Sequence, residues 1–132
     1  MLDAMLTYSE DQLPIPDTGN LRADLIAFAE LLVDYLSAPQ GAALARIMAS
    51  VDGDDAGLED TRAKFWASRY NTARVIIDRA VERGEIPASA DAGLVLELII
   101  APLHFRHLLT HQTIGDDVIA RTVDLVVRGL DG

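Results

Sequence analysis

The chain has 132 residues, half of them hydrophobic and 24% charged, and its 21 acidic and 11 basic side chains give a net charge of −10 at pH 7. A chain of this length and hydropathy can enclose one hydrophobic core, so we expect one folded domain rather than a disordered polypeptide. The acidic balance excludes broad attraction to phosphate backbones or to anionic lipid. The absence of cysteine excludes disulfides, thiolate metal sites and cysteine nucleophiles, and it fits a reducing compartment.

Two segments were considered for a membrane or export role. The amino terminus, MLDAMLTYSEDQ, lacks the basic region, the apolar run and the small-residue cleavage site of a signal peptide. The longest apolar run, Leu94 to Leu103, contains Glu97 and has about half of the roughly 20 residues that a spanning helix needs. We therefore expect a cytoplasmic chain with no membrane partner.

The first half of the chain shows helical periodicity between turn signals. Met1 to Ser9 can form the end of a helix, and the DQLPIPDTGN that follows is typical of a connection and a helix start. A helix is predicted from about Leu21 to Ser37, because apolar side chains recur there at spacings of four and three, namely Leu21, Leu25, Phe28, Leu32 and Tyr35. Pro39 fits the first position of a short helix, PQGAALARIMASV, which ends at the turn-rich DGDDAG.

The second half continues the helical pattern. The longest helix is predicted from about Leu58 to Arg83, closed by Gly84, with an apolar stripe of Trp66, Tyr70, Ala73, Ile77 and Ala80. Its arginines are expected to be mostly solvated or paired with acidic neighbours: Arg62, Arg69, Arg74 and Arg79. Asp91 can cap the next helix, and a last helix is predicted from about Asp117 to Arg128, with Gly129 as its stop. The predicted fold class is therefore all-α, an antiparallel bundle of about five to six helices.

The segment LVLELIIAPLHFRHLLTH, from Leu94 to His111, is apolar around most of its circumference. A helix packed on one side of a monomer needs an apolar stripe a little over roughly 100° wide, so this segment has more apolar surface than a single chain of this size can cover. A subunit interface accounts for the excess better than an intramolecular core does. Pro102 removes one hydrogen-bond donor from the helix and predicts a kink that shapes it around its neighbours.

From about Leu13 the chain contains, in order, GNLRADLIAFAELLVDYL, a small-residue helix, FWASRYNTARVIIDRAVERGEI and LIIAPLHFRHLLTHQTIGDDVIARTVDLVVRGL. In this order the stretches resemble the carboxy-terminal regulatory domain of TetR-type transcriptional repressors. The order includes an RGEI helix end, an apolar helix with a proline, Arg106 shortly after it, and a closing VDLVVRGL. In that family the domain binds a small effector between its helices and dimerises through its last two helices, while an amino-terminal helix-turn-helix domain binds the operator.

The resemblance implies a single regulatory domain over residues 1–132, with 1–12 as the end of a connecting helix and a linker and 13–132 as the ligand-binding and dimerisation part. The roughly 50 to 60 residues of a helix-turn-helix head are absent from the sequence, so DNA contact is expected only through a missing amino-terminal domain. The last two helices of each partner would form a four-helix bundle interface in a homodimer. The residues predicted at this interface are Leu96, Ile99, Leu103, Arg106, Thr110, Ile119, Val123 and Val126.

Facing apolar stripes with a few polar tips predict a pocket for a small apolar or amphipathic effector. The predicted ligand-binding residues are Phe28, Leu32, Met48, Trp66, Tyr70 and His104. Ordinary core packing is the alternative for the same residues, because a Trp or Tyr at helical spacing is more often core than ligand cage. The resemblance thus implies an effector-binding domain of a transcription regulator, whose repression a small ligand relieves.

The alternative function is a standalone metal-binding or scaffolding dimer. His104, His107 and His111 lie at i, i+3 and i+7, which places three imidazoles in one line on a regular helix. No carboxylate stands among them at ligand spacing, so solvated histidines near a helix carboxyl end are favoured and no metal or other cofactor is predicted. No GxSxG motif, Gly-rich phosphate loop or complete calcium loop occurs, so an enzyme is not expected.

Overall fold

Five α-helices make up the part of the chain that the computed structural model describes, residues 15–50 and 56–131, with side-chain positions for 15–47 and 60–130. This part contains no strand, and the predicted all-α class is confirmed. The helices are α1 Leu21–Ser37, α2 Pro39–Ser50, α3 Ala56–Glu82, α4 Ala92–His104 and α5 Asp116–Asp131, and a π-helical segment, Phe105–Thr110, continues α4. The predicted helix end at 1–9 and the turn at 52–55 lie outside the described residues.

Short-range signals fix the helix ends. The side chain of Asn20 accepts a hydrogen bond from the N–H of Ala23 at 2.9 Å, and that of Asp91 accepts from Leu94 at 3.1 Å, which confirms the predicted cap of α4. Gly84, with φ of +79°, ends α3 as predicted. The predicted stop at Gly129 is wrong, because its φ is not positive and α5 continues through it to Asp131.

The core lies where the apolar stripes of α1, α3, α4 and α5 face one another. All five stripe residues predicted in α1 are buried, as are Ala73, Ile77 and Ala80 of α3. The remaining two predicted residues of α3, Trp66 and Tyr70, are only half-buried. Their partial exposure distinguishes the first half of α3 from its second half, where Ala73, Ile76, Ile77 and Ala80 are at most 1% exposed. From α4 and α5 the core takes Val95, Leu96, Ile99, Leu103, Ile119 and Val123.

A polar cluster holds the segment before α1 against the end of α3. Asp24 is fully buried, and one of its carboxylate oxygens accepts a hydrogen bond from the backbone N–H of Thr18 at 2.6 Å. The other oxygen lies 3.8 Å from a guanidinium nitrogen of Arg83, which also pairs with Glu85. Glu85 in turn accepts the backbone N–H of Leu21 at 2.9 Å. The start of α1 is therefore held by charge-assisted hydrogen bonds as well as by its apolar face.

Helix α4 and the π-helical segment form one continuous helix through Pro102. The α-helical pattern changes to the π pattern at Phe105, three residues after the proline, which removes one N–H from the helical ladder. By length and composition alone, the 19 residues Ala92–Thr110, with a mean hydropathy of 1.4, could cross a membrane. The estimate that no segment is long enough is thus wrong by length, because it counted only the apolar run to Leu103, whereas the helix continues to Thr110. In this fold the segment contributes Val95, Leu96, Ile99 and Leu103 to the core, and core helices of soluble proteins satisfy the same criterion.

Candidate functional site

A cavity of about 680 Å³ lies between α1, α3 and α4, within the size range of small-molecule sites. It forms where the half-buried face of α3 and the carboxyl end of α4 do not close against α1. The cavity is open at one side, since several of its lining residues, including Glu97 and Phe105, are exposed. Its wall is mostly aromatic and aliphatic, with the six aromatic rings of Phe28, Tyr35, Phe65, Trp66, Tyr70 and Phe105.

Most residues predicted to bind a ligand lie together on this wall. They are Phe28 and Leu32 of α1, Trp66 and Tyr70 of α3 and His104 of α4. The side chain of the sixth, Met48, lies outside the described residues. Ligand binding at these positions stays a prediction.

The cavity is also lined by four residues that were not among the predicted ligand-binding residues: Phe65, Arg69, Glu97 and Phe105. Arg69 could have been found, because a residue at i+3 from Trp66 shares its side of the helix, and Phe65 is one turn before Arg69 on the same face. Arg69 was expected to be solvated or paired like most of the other arginines of α3, and the structure places it on the cavity wall. Arg74, by contrast, pairs with Asp78 at 3.6 Å as predicted.

Arg69 is the basic group of the cavity wall. Its guanidinium carbon lies over the rings of Tyr35 and Phe65, 5.1 Å from each ring centroid. A guanidinium is charged at any pH that a folded protein experiences, and contacts with aromatic faces offset part of the cost of removing it from water. The two rings therefore hold a guanidinium on the wall of an apolar cavity.

His104 packs edge-to-face against Trp66, with ring centroids 5.5 Å apart and an interplanar angle of 90°. The pKa of His104 is lowered from 6.5 to about 4, mainly by burial and to a smaller extent by the nearby charges of His107 and Arg69. The imidazole is therefore neutral near pH 7 and offers one donor and one acceptor to the cavity. At the other end of the cavity, burial and the charge of Glu97 raise the pKa of Tyr70, so its hydroxyl also stays neutral.

We expect acid to destabilise the fold through His104. The native state binds fewer protons than the unfolded state between its pKa of about 4 and the ordinary 6.5, so the free energy of unfolding falls as the pH drops through that window. One pKa unit corresponds to about 1.4 kcal/mol, and water in the open cavity weakens the effect, so a loss of about 2 kcal/mol is expected. Urea denaturation at pH 7 and pH 4.5 measures this loss, and His104→Gln should reduce it.

The matched control for this prediction is His111→Gln, which changes the same residue type at an exposed position outside the cavity. Carboxylates that titrate in the same window are common to all three proteins and cancel in the comparison. If the free energy of unfolding falls equally between pH 7 and pH 4.5 in the wild type and in His104→Gln, the assignment of this effect to His104 is contradicted.

Helix α4 and the π-helical segment also carry a row of exposed apolar residues. Leu94, Leu98, Ala101, Phe105 and Leu109 follow one another at helical spacing along α4 and the π-helical segment, and all are exposed. The exposed fraction of the four large residues is 48%, 49%, 54% and 69%, and Leu125 of α5 is 75% exposed. Large apolar side chains are rarely left in water in a contiguous row. We call these six residues the apolar stripe.

The structure corrects the predicted list of dimer-interface residues. Five of its members are at most 2% exposed within the single chain, so a partner subunit cannot contact their side chains: Leu96, Ile99, Leu103, Ile119 and Val123. They fill the contact between α4 and α5 and the helices of the same chain. Arg106 and Val126 are half-buried and Thr110 is exposed, so these three remain available. A dimer interface on the last two helices stays a prediction, and five of the residues chosen for it lie on the face that packs inward.

The histidine row of the metal-binding alternative is not regular in the structure. His104 ends α4 beside Trp66, His107 lies in the π-helical segment, and His111 follows it with a positive φ of 55°. The change from α to π and the left-handed residue break the i, i+3, i+7 line that a regular helix would give. The described residues contain no group of three His, Cys, Asp or Glu side chains that could hold a metal ion. The metal-binding alternative gains no support.

The fold and the site define the class of the protein: an all-helical domain built around an aromatic-lined cavity, with an apolar stripe at its edge. Residues 15–126 match the family described as tetracyclin repressor-like, C-terminal domain, and the chain belongs to this TetR family. The resemblance seen in the sequence is thereby confirmed.

Relatives of the chain agree with this assignment. It is 34% identical over 133 residues to the HTH-type transcriptional regulator AqdR of Rhodococcus erythropolis, covering 98% of this chain and 62% of that protein. It is 26% identical to the uncharacterized HTH-type transcriptional regulator YdeS of Bacillus subtilis, covering 100% of this chain and 65% of that protein. The crystal structure of the TetR family transcription regulator SCO0332 superposes with a TM-score of 0.85 at 25% identity, covering 97% of this chain and 71% of that one. The chain therefore spans less than two thirds of the length of the first two relatives.

Proposed function

We propose that this chain is the effector-binding and dimerisation domain of a TetR-like transcriptional regulator, in which binding of a small ligand relieves repression of transcription. The observation that carries the proposal is the aromatic cavity of about 680 Å³ beside the apolar stripe. One helix, α4, supplies residues to both features, so a molecule in the cavity contacts the same element that a second subunit would cover. The domain acts by binding rather than by catalysis, and its place of action is the cytoplasm.

The cavity suits an apolar or amphipathic effector. Six aromatic rings provide the apolar contact area, and neutral groups such as His104 and the hydroxyl of Tyr70 provide hydrogen bonds that can orient a ligand. A ligand that binds one arrangement of α1, α3 and α4 better than another shifts the population toward it. That shift would regulate DNA binding through a helix-turn-helix domain of the kind for which the longer relatives are named.

The apolar stripe supports a homodimer. Five stripe residues lie along α4 and its π-helical continuation, and Leu125 of α5 adds a sixth on the neighbouring helix. A two-fold axis beside these helices would bring two stripes together and bury each of them. Arg106, Thr110 and Val126, which remain accessible, are proposed to border this contact.

The test combines oligomeric state with ligand binding. The mass of the purified chain by light scattering is expected to be that of a dimer, both with a chelator and with added zinc. The neutral fluorescent probe N-phenyl-1-naphthylamine is expected to quench Trp66, the single tryptophan of the chain, because that side chain lines the cavity. A monomer that associates only with zinc would contradict the proposed dimer, and a probe that leaves Trp66 fluorescence unchanged would contradict the proposed ligand site.

A further inference from the structure

The charges of the cavity wall are unevenly placed. Among the lining residues that the structure describes, Arg69 and Glu97 carry a charge at pH 7, and burial keeps His104 neutral. Glu97 is exposed at the open side, whereas Arg69 is half-buried between two rings. The guanidinium of Arg69 therefore lies farther inside the cavity than the carboxylate of Glu97.

The antiparallel arrangement of α3 and α4 separates the two polar ends. Trp66 contacts His104 at one end, while Tyr70 experiences the charge of Glu97 at the other. The two pairs are four positions apart along α3 and seven positions apart along α4, which is about 6 to 10 Å along the helices. That separation is the length of a two-ring aromatic molecule, so a ligand can contact both ends at once.

Arg69 is suited to bind an acidic group. The rings of Tyr35 and Phe65 contact its guanidinium carbon at 5.1 Å and restrict its motion, and a guanidinium donates its hydrogen bonds in its own plane toward paired oxygen atoms. Phe65, which lies under Arg69, packs against Trp66, and Trp66 contacts His104, so His104 lies toward the same end of the cavity and adds a neutral donor or acceptor there. In an apolar cavity the attraction between a fixed cation and an anion is stronger than it is in water.

We propose that the cavity selects flat aromatic monoanions, such as aromatic carboxylates or sulfonates, whose acidic group binds Arg69 and whose rings pack against Trp66 and Phe28. This inference rests on the proposed function, because it names the chemical class of the effector. Glu97 at the opposite end repels a second acidic group, so the ligand binds in one orientation with its neutral or hydrogen-bond-donating end toward Tyr70.

Two fluorescent probes with the same ring frame test the charge preference. 1-Anilinonaphthalene-8-sulfonate carries a sulfonate, and N-phenyl-1-naphthylamine lacks it, so the difference between their affinities isolates the acidic group. Both are titrated into the 132-residue chain, and quenching of Trp66 reports binding in the cavity. The variant Arg69→Met removes the charge and keeps an apolar stem against the rings. It is expected to raise the Kd of the sulfonate at least tenfold and to leave the Kd of the neutral probe within twofold.

Two further variants control for general effects. Arg74→Gln removes a charge from the same helix at an exposed position outside the cavity, and both affinities should stay within twofold of the wild type. Arg69→Lys keeps the positive charge. The ratio of its Kd values for the neutral probe and the sulfonate is expected to stay within threefold of the wild-type ratio. If Arg69→Met does not bind the neutral probe, Arg69→Lys provides the test. A preference for the sulfonate that is retained in Arg69→Lys supports the inference, and loss of that preference overturns it.

The outcomes separate this inference from the proposed function. An equal rise in the Kd of both probes in Arg69→Met, or an unchanged Kd of the sulfonate, overturns the selection of anions. Either result leaves the proposed ligand site itself intact. Failure of the neutral probe to quench Trp66 in the wild-type chain overturns the proposed ligand site itself, and the inference with it.

Discussion

Replacing Gly41 by alanine is expected to lower the free energy of unfolding by about 3 kcal/mol, the upper range for overpacking a closed position. Gly41 is buried in α2, and a Cβ atom placed there would lie 1.9 Å from the backbone oxygen of Tyr35 and 2.8 Å from its carbonyl carbon. Backbone atoms cannot move aside as the end of a flexible side chain can, so α2 would have to shift away from α1. Urea denaturation followed by circular dichroism measures the loss.

Gly93→Ala is the matched control for this prediction. The same substitution there, in the exposed first turn of α4, meets only a side-chain oxygen of Asp91 at 3.5 Å, an ordinary contact. Alanine is the better helix former, so the free energy of unfolding should stay constant or rise by less than about 1 kcal/mol. Equal stabilities of Gly41→Ala and the wild type would show that α1 and α2 do not approach each other as closely as described. Since Tyr35 also lines the cavity, Gly41→Ala should weaken probe binding as well.

Replacing Leu98 by glutamate is expected to raise the Kd of the proposed dimer at least about 100-fold, equivalent to roughly 3 kcal/mol. Leu98 lies in the middle of the apolar stripe, is 49% exposed in the single chain and does not line the cavity. A two-fold axis places the substituted position of each subunit near that of its mate, so the change removes apolar burial and juxtaposes two negative charges. Light scattering over a dilution series measures the dissociation.

Ala63→Glu provides the control, because it adds the same charge at an exposed position of α3 away from the apolar stripe. That variant should dimerise like the wild type, which separates the local effect from a general increase in negative charge. A Leu98→Glu chain that remains dimeric at the lowest concentration measured would show that the interface lies elsewhere. Helical content should be unchanged in both variants, because both positions face solvent in the single chain.

The helices were predictable because their signals are local. The apolar spacing of α1 and the proline at the start of α2 gave bounds that match the structure, and Asp91 was recognised as a cap from its position before an apolar run. Gly129 failed as a stop because a glycine alone does not end a helix. It does so only where the chain adopts a positive φ, as it does at Gly84.

The candidate site was predictable in part for the same reason. Five of the six proposed ligand-binding residues share the cavity wall because each belongs to an apolar stripe, and helical stripes face one another in a bundle. Arg69 was missed because an arginine on a long, charged helix has the same appearance in sequence whether it is solvated or held between rings. Only the position of Tyr35 on another helix distinguishes the two cases.

The sequence by itself determined the helical class, most helix ends, the family resemblance and the excess of apolar surface on α4, since all of these depend on residues within a few turns of one another. The tertiary structure decided which side of α4 faces inward. Leu96, Ile99 and Leu103 pack against the same chain, and Leu94 and Leu98 remain exposed. A helix that is apolar on most sides has no periodicity that distinguishes one face from another, so the neighbouring helices assign each face. The same packing leaves the cavity open and brings Arg69 and His104 to its wall.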